Sequence, residues 1–175
     1  MLKRLESSSQ QPPSRSGPET HRVRLEYRYE RLVSIAQELA PLAVSHYAGL
    51  PEAIKRLPLD VDWERCLAAD LQGFLHVLTV RAPEDNNRLV GYVANQVVRP
   101  FMHNGSKWAF VEAIYLADEY REGWVGYQML KKNFKGMQTL GCDVCKVFCP
   151  IGTFEPLLKR LGCEFLEVGA FKFLR

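Results

Sequence analysis

An α+β fold, with helices first and then a sheet that further helices cover, is predicted by three observations. Apolar residues recur at three- and four-residue intervals through residues 25–71, and at two-residue intervals from residue 74 on. The cluster Pro83-Glu84-Asp85-Asn86-Asn87 sits between two alternating runs, as a hairpin turn does. Beyond residue 107 alternating and helical runs take turns, which is a β-α-β order. Together these describe an α+β or mixed α/β sandwich.

The first helix is expected over residues 25–39, where Leu32, Ile35, Ala36 and Leu39 share a face. Pro41 ends or kinks it, since proline has no amide hydrogen and its ring clashes with the preceding turn. A second helical piece follows over residues 42–46, until Gly49 and Pro51 break it. Asp62 caps a third helix with a buried stripe of Trp63, Cys66, Leu67 and Leu71, and Gly73 stops it. Residues 74–80 and Arg88–Val98 form an antiparallel hairpin. His103-Asn104-Gly105-Ser106 turns the chain into a third strand over residues 107–116. In the main helix, residues 126–140, Met129, Leu130, Phe134 and Met137 face the sheet and Gly141 ends the run. A fourth strand over residues 142–149 and a short helix over 154–161, stopped by Gly162, come next. A closing strand pair over residues 164–174 turns near Gly169.

At 175 residues the chain is most simply one domain, and 47% hydrophobic with 25% charged residues is ordinary for a globular protein. No apolar run reaches the roughly 20 residues of a membrane span, so no membrane partner is expected. The N-terminus lacks the apolar stretch of a secretory signal, and a cytoplasmic location is expected. Five cysteines, an odd number set in apolar stretches, fit a reduced protein. The net charge of +3 is uneven: residues 1–24 hold five basic and two acidic residues, and the rest holds 18 of each. Residues 7–18 are too polar and proline-rich to pack. We therefore divide the chain into a disordered basic tail, residues 1–22, and a folded domain, residues 23–175. So short a basic arm attracts nucleic acid only weakly, and nucleic acid is not an expected partner.

The chemistry concentrates in residues 111–126. A half-buried strand runs into a tight turn containing Gly123 and Gly126 and then opens the main helix. Such a turn leaves backbone N–H groups unpaired with the positive end of a helix dipole behind them, which suits phosphate. Glu112 puts a carboxylate nearby, and a carboxylate can take the proton that an ammonium must lose before it attacks.

The order of elements and these motifs resemble the GNAT superfamily of acyl-CoA N-acyltransferases, over residues 25–175. Ile114-Tyr115-Leu116 is similar to the family's strand triplet, Asp118-Glu119-Tyr120-Arg121 to its turn, and Gly126 to the last glycine of its pyrophosphate loop. Leu161-Gly162-Cys163 is similar to a family Leu-Gly-Phe after the last helix. Short phage-encoded members, with the spacing of Arg121, Gly123 and Gly126, look closest, which would imply a host cytoplasm. The resemblance implies a GNAT-like fold, with a mostly antiparallel central sheet flanked by helices. It also implies acetyl-CoA as acyl donor, no metal, and an amine acceptor, either a small molecule or a protein lysine or N-terminus. The loop Arg121, Glu122, Gly123, Trp124, Val125 and Gly126 would hold the pyrophosphate, with Ile114 and Leu116 along the pantetheine. Glu112 would be the general base and a tyrosine, Tyr127 or Tyr115, the acid. The sequence departs from the family at three places. Trp124 stands where the middle glycine is expected, Leu158 at the position of the frequent general-acid tyrosine, and Gly152-Thr153 where an asparagine is common. These departures support an alternative, a catalytically silent binding protein on the same fold.

Cys142, Cys145, Cys149 and Cys163 suggest a metal site, but on a strand residues three apart face opposite sides, so structural cysteines are expected. His21, His46, His76 and His103 have no ligand spacing. The loop over residues 99–107, with Phe101 and Met102 at its tip, is read as an acceptor-site wall or a homodimer contact.

Overall fold

The computed structural model describes residues 24–148 and 154–166. The basic tail, His21, Cys149, Gly152-Thr153 and the closing strand over residues 167–174 lie outside the described residues.

The chain opens with strand β1, Glu26–Glu30, followed by helix α1, Leu32–Ala48. Helix α2 is Trp63–Leu71, strand β2 Leu75–Ala82, β3 Arg88–Val98 and β4 Trp108–Leu116. Helix α3 is Val125–Thr139, strand β5 Val144–Val147 and helix α4 Glu155–Arg160. The five strands form one sheet in the order β1-β2-β3-β4-β5, antiparallel except for the parallel pair β4–β5. The predicted α+β sandwich is the observed architecture.

Two cores sandwich the sheet. On one face Leu32, Ile35 and Leu39 of α1 bury against Val77, Leu89 and Tyr92, with Trp63, Cys66 and Leu67 of α2 beside them. On the other, Met129 of α3 packs on Leu78, Val80, Val90, Val93, Val111 and Leu116. Asp70 of α2 ties the first layer together. Its carboxylate accepts from the Leu32 amide at 3.2 Å and from Arg31 Nε at 2.9 Å, capping α1 from 38 residues away.

Three expectations are corrected. Residues 26–30 are a strand, because Tyr27 and Tyr29 pair in register with Val80 and Leu78 of β2, and that pairing outweighs the helical spacing that follows. Pro41 does not end the first helix: α1 runs unbroken past it to Ala48, and Ser45 Oγ donates to the Pro41 carbonyl at 3.2 Å. Leu71 is not part of the buried stripe; it is 73% exposed, at the last turn of α2. The hairpin and the two later helices fall where the sequence places them, with α3 and α4 ending before Gly141 and Gly162. Residues 164–166, where the closing strand pair should begin, are not in a strand.

A buried polar pair fixes α3 to the sheet. Asn95 of β3 and Asn133 of α3, both fully buried, exchange two side-chain hydrogen bonds of 2.9 Å, and the Tyr29 hydroxyl donates to the Asn133 carbonyl at 3.1 Å. Leucine at 133 would fill the space but leave the Asn95 Oδ1 without a donor, a cost of about 2 kcal/mol, although Asn95 Nδ2 keeps the His76 carbonyl at 3.1 Å. Asn133→Leu should lower the unfolding free energy in a urea titration by that amount, and an unchanged midpoint would contradict the role given to the pair.

Candidate active site

The site lies where β4 outruns its neighbour. Strand β5 pairs with β4 over Trp108↔Val144 to Val111↔Val147, so on that side the Glu112 to Leu116 stretch of β4 has no strand partner among the described residues. Glu112 itself is a β-bulge: Ala94 pairs with Ala113 and Asn95 with Val111, leaving Glu112 the extra residue. The bulge flips the alternation. Val111, Ile114 and Leu116 pack toward the α3 core, whereas Ala113 and Tyr115 pack toward the α1–α2 core. Glu112 is exposed, with no ion pair or hydrogen bond to other described residues.

Backbone direction follows from the ladder. The Ala117 amide donates to the Val90 carbonyl at 2.8 Å, and alternate pairs bond in an antiparallel ladder, so Ala113 and Tyr115 bond to β3. The N–H and C=O groups of Ile114 and Leu116 therefore point to the open edge. The Leu116 carbonyl on that edge accepts from Arg121 Nε at 2.7 Å. Such a close approach of β3 and β4 needs a glycine: a Cβ on Gly91 would lie 2.8 Å from the Tyr115 carbonyl oxygen.

After β4 the chain makes a 3₁₀ turn, Asp118–Tyr120, and enters α3 at Trp124. The Arg121 amide donates to the Asp118 carbonyl at 3.1 Å. It is therefore not one of the unpaired donors expected over residues 121–126. The unpaired amides are those of Glu122, Gly123, Trp124, Val125, Gly126 and Tyr127, which have no acceptor among the described residues. Gly123, at φ +63°, takes the left-handed conformation that lets the turn present them, and no side chain caps the helix. Trp124 does not fill the bend: its ring is 58% exposed and meets Tyr127 edge-on at 5.3 Å. Tyr127 thus packs beside the cradle, with Lys131 5.8 Å over its ring. Leu158 is a packing residue, 3% exposed.

On the α1 face of β4 the structure assembles a cluster that the sequence reading left apart. His46 of α1 has Nδ1 2.9 Å from the Tyr92 hydroxyl, and its ring lies 5.5 Å from that of Tyr115. The Arg121 guanidinium lies 5.5 Å over the other partner, Tyr115, and bonds Asp118 at 2.7 Å. An open cleft of about 430 Å³ adjoins this cluster, lined by Ser45, Gly49, Tyr115, Asp118, Glu119 and Arg121. A signal for His46 was present in the sequence: Leu32, Ile35, Leu39, Leu42 and His46 form one helical stripe, visible once Pro41 is read as internal.

The cysteines do not all lie on one strand. Cys142 precedes β5, in a turn where its amide donates to the Met137 carbonyl, so the opposite-face argument does not apply to it. Cys142 and Cys145 border one groove between α3 and β5. Burial pushes the Cys145 thiol up to about 12, and raises those of Cys142 and Cys163, so all three hold their protons at pH 7. Among the described residues no three His, Cys, Asp or Glu side chains converge as metal ligands. Nor is any described helix long and apolar enough to cross a membrane.

No protein-family model and no curated protein sequence matches the chain. Solved structures do. An aminoglycoside acetyltransferase from an uncultured soil metagenomic sample, in complex with sisomicin, superposes with a TM-score of 0.65 at 13% identity, covering 86% of this chain and 97% of that one. Glucosamine-6-phosphate N-acetyltransferase from Arabidopsis thaliana gives 0.65 at 11% identity, covering 87% and 99%. The aminoglycoside acetyltransferase AAC(6')-Iy, in complex with the bisubstrate analogue CoA-S-monomethyl-acetylneamine, gives 0.64 at 18%, also covering 87% and 99%. The chain thus has the GNAT fold, a mostly antiparallel central sheet flanked by helices.

Burial first, and then the Arg121 cation, hold the His46 imidazole below its ordinary value of 6.5. The unfolded chain therefore binds a proton that the folded chain refuses, so this group's contribution to stability is full above about pH 6.5 and falls as pH drops through that value. His46→Gln should flatten the melting-temperature profile between about pH 7 and 5, where the carboxylates have yet to titrate. A slope unaltered by the substitution would contradict a neutral His46.

Proposed function

We propose that this chain is an acetyl-CoA-dependent N-acetyltransferase that moves an acetyl group to a primary amine by direct attack. The observation that carries the reading is the run of six unpaired amides, residues 122–127, beside the open edge of β4. A diphosphate needs several converging donors, and a turn entering a helix supplies them with the dipole behind. AAC(6')-Iy, which shares this fold, was solved with a CoA-containing analogue, and the other two structures are acetyltransferases.

In this reading the amides of residues 122–127 hold the diphosphate, with the Arg121 side chain bracing the turn. The pantetheine arm lies along Ile114 and Leu116, adding short strand-like hydrogen bonds to the edge that β5 leaves free. The thioester then sits in the gap past Val147, where an Ile114 or Leu116 amide polarises its carbonyl. The amine enters from the α1 face, by the cleft beside Tyr115. Glu112, exposed at the bulge, takes the amine proton directly or through water. The amine nitrogen bonds to the carbonyl carbon, the tetrahedral intermediate collapses, and the C–S bond breaks. A tyrosine returns a proton to the thiolate. Holding amine and thioester together supplies most of the rate.

The buried Leu158 at the family's tyrosine position favours a second reading, a GNAT-fold protein that binds the cofactor without turnover. Kinetics separate the two. With an amine that the protein acetylates, Glu112→Gln and Tyr127→Phe should each lower kcat about 100-fold or more with the acetyl-CoA KM nearly unchanged. A full kcat in Tyr127→Phe would move the acid role to Tyr115, and a cofactor complex inert to every amine would select the second reading.

Isothermal titration with acetyl-CoA should give saturable binding, and no heat at millimolar ligand would remove both readings. A Cβ at Gly126 would meet only Leu157 Cδ2, at 3.9 Å, so Gly126→Glu leaves the fold intact while adding a carboxylate among the phosphates. It should weaken binding at least roughly tenfold, and unaltered affinity would show that the diphosphate docks elsewhere.

A further inference from the structure

The mouth of the α3 turn holds three side chains that acetyl transfer does not use, those of Trp124, Arg160 and Lys131. Trp124 contributes its amide to the unpaired run, yet its indole stands 58% exposed at the surface. The Arg160 guanidinium, from α4, lies 5.2 Å over that ring. Tyr127 meets the indole edge at an interplanar angle of 87°, which fixes the ring's tilt, and Lys131 lies over Tyr127. Arg160 and Lys131 have no carboxylate partner among the described residues, although Lys159, next to Arg160, pairs with Glu155 at 2.6 Å. A solvated aromatic plane with two unneutralised cations thus borders the amide cradle.

We propose that Trp124, Arg160 and Lys131 form a nucleoside subsite, in which the indole stacks the purine of coenzyme A and the two cations take the phosphate on its ribose. The proposal rests on the acetyl-CoA reading above and adds to it the means of telling the full cofactor from a shorter phosphopantetheine thioester. One phosphate of the diphosphate carries the pantetheine arm toward β4, and the other carries the nucleoside. The exposed ring nearest that second phosphate along the chain is Trp124, since its own backbone lies in the cradle. Base–aromatic stacking is worth a measurable part of the affinity, and the Arg160 cation over the indole, with Lys131 over the neighbouring Tyr127 ring, strengthens the phosphate contact without contacting the thioester. The bulky residue at a position where the family keeps glycine then extends the phosphate loop outward, and costs it nothing inside.

Three ligands and three variants test this by calorimetry, with no acceptor required. The wild type should bind coenzyme A about tenfold more tightly than dephospho-coenzyme A, which lacks the ribose phosphate, and more tightly still than 4′-phosphopantetheine. Trp124→Ala should weaken coenzyme A and dephospho-coenzyme A by roughly tenfold and leave 4′-phosphopantetheine unchanged, while Trp124→Phe restores most of the loss. Arg160→Glu should erase the preference for coenzyme A over dephospho-coenzyme A. Equal affinity of wild type and Trp124→Ala for coenzyme A would overturn the subsite and leave the cofactor reading standing. A wild type that ignores coenzyme A altogether would overturn the cofactor reading itself, and the subsite with it. A Trp124→Ala protein that melts at the wild-type temperature but loses all three ligands equally would also overturn the subsite, since it would place Trp124 in the cradle alone.

Discussion

The short pairing of β4 with β5 is the constraint on which the rest of the site depends. Four residues of parallel ladder, Trp108 to Val111 against Val144 to Val147, join the strands and then stop. Had the pairing continued, the backbone groups of Ile114 and Leu116 would be spent within the sheet. Because it stops, they meet no strand partner among the described residues, and the bulge at Glu112 falls at the point where the pairing ends. The bulge sets which face each later residue takes, with Tyr115 on the α1–α2 side of the sheet and Leu116 on the α3 side.

The turn after β4 is held by arginines as well as by the packing of Tyr120 and Val125 on the α3-side core. Arg121 joins the Leu116 carbonyl, the Asp118 carboxylate and the Tyr115 ring. Arg88, at the start of β3, reaches Glu119 at 2.9 Å and lies over the Tyr120 ring at 5.7 Å. Each exposed ion pair contributes little to stability, about 1 kcal/mol or less. Their value is geometric, since they fix the turn in a conformation that leaves six amides without partners. Behind it, the Asn95–Asn133 pair fixes the register of α3 on the sheet, because a buried amide pair of this kind is satisfied in only one alignment.

Much of this was legible in the sequence where one local signal decides the structure. The hairpin at residues 83–87 was legible because Asn86 and Asn87 tolerate the positive φ values of 50° and 59° that its turn takes. The α3 turn was legible through Gly123 and Gly126. What was hidden depended on distant pairing. Residues 26–30 pair with β2 some 51 residues later, and the alternation of Tyr27 and Tyr29 with Glu26, Arg28 and Glu30 is a strand pattern too short to stand out against the helical spacing from Leu32 onward. His46 was separated from its helix by Pro41, which α1 accommodates. The exact set of cradle amides was hidden as well, because the Asp118 carbonyl takes the Arg121 amide, a contact made by turn geometry rather than residue type.

Backbone amide NMR during titration with coenzyme A tests the central claim most directly. The resonances of Glu122 to Tyr127 should move together and saturate, with Ile114 and Leu116 following. Saturable binding that leaves those amides in place while shifting others would contradict it.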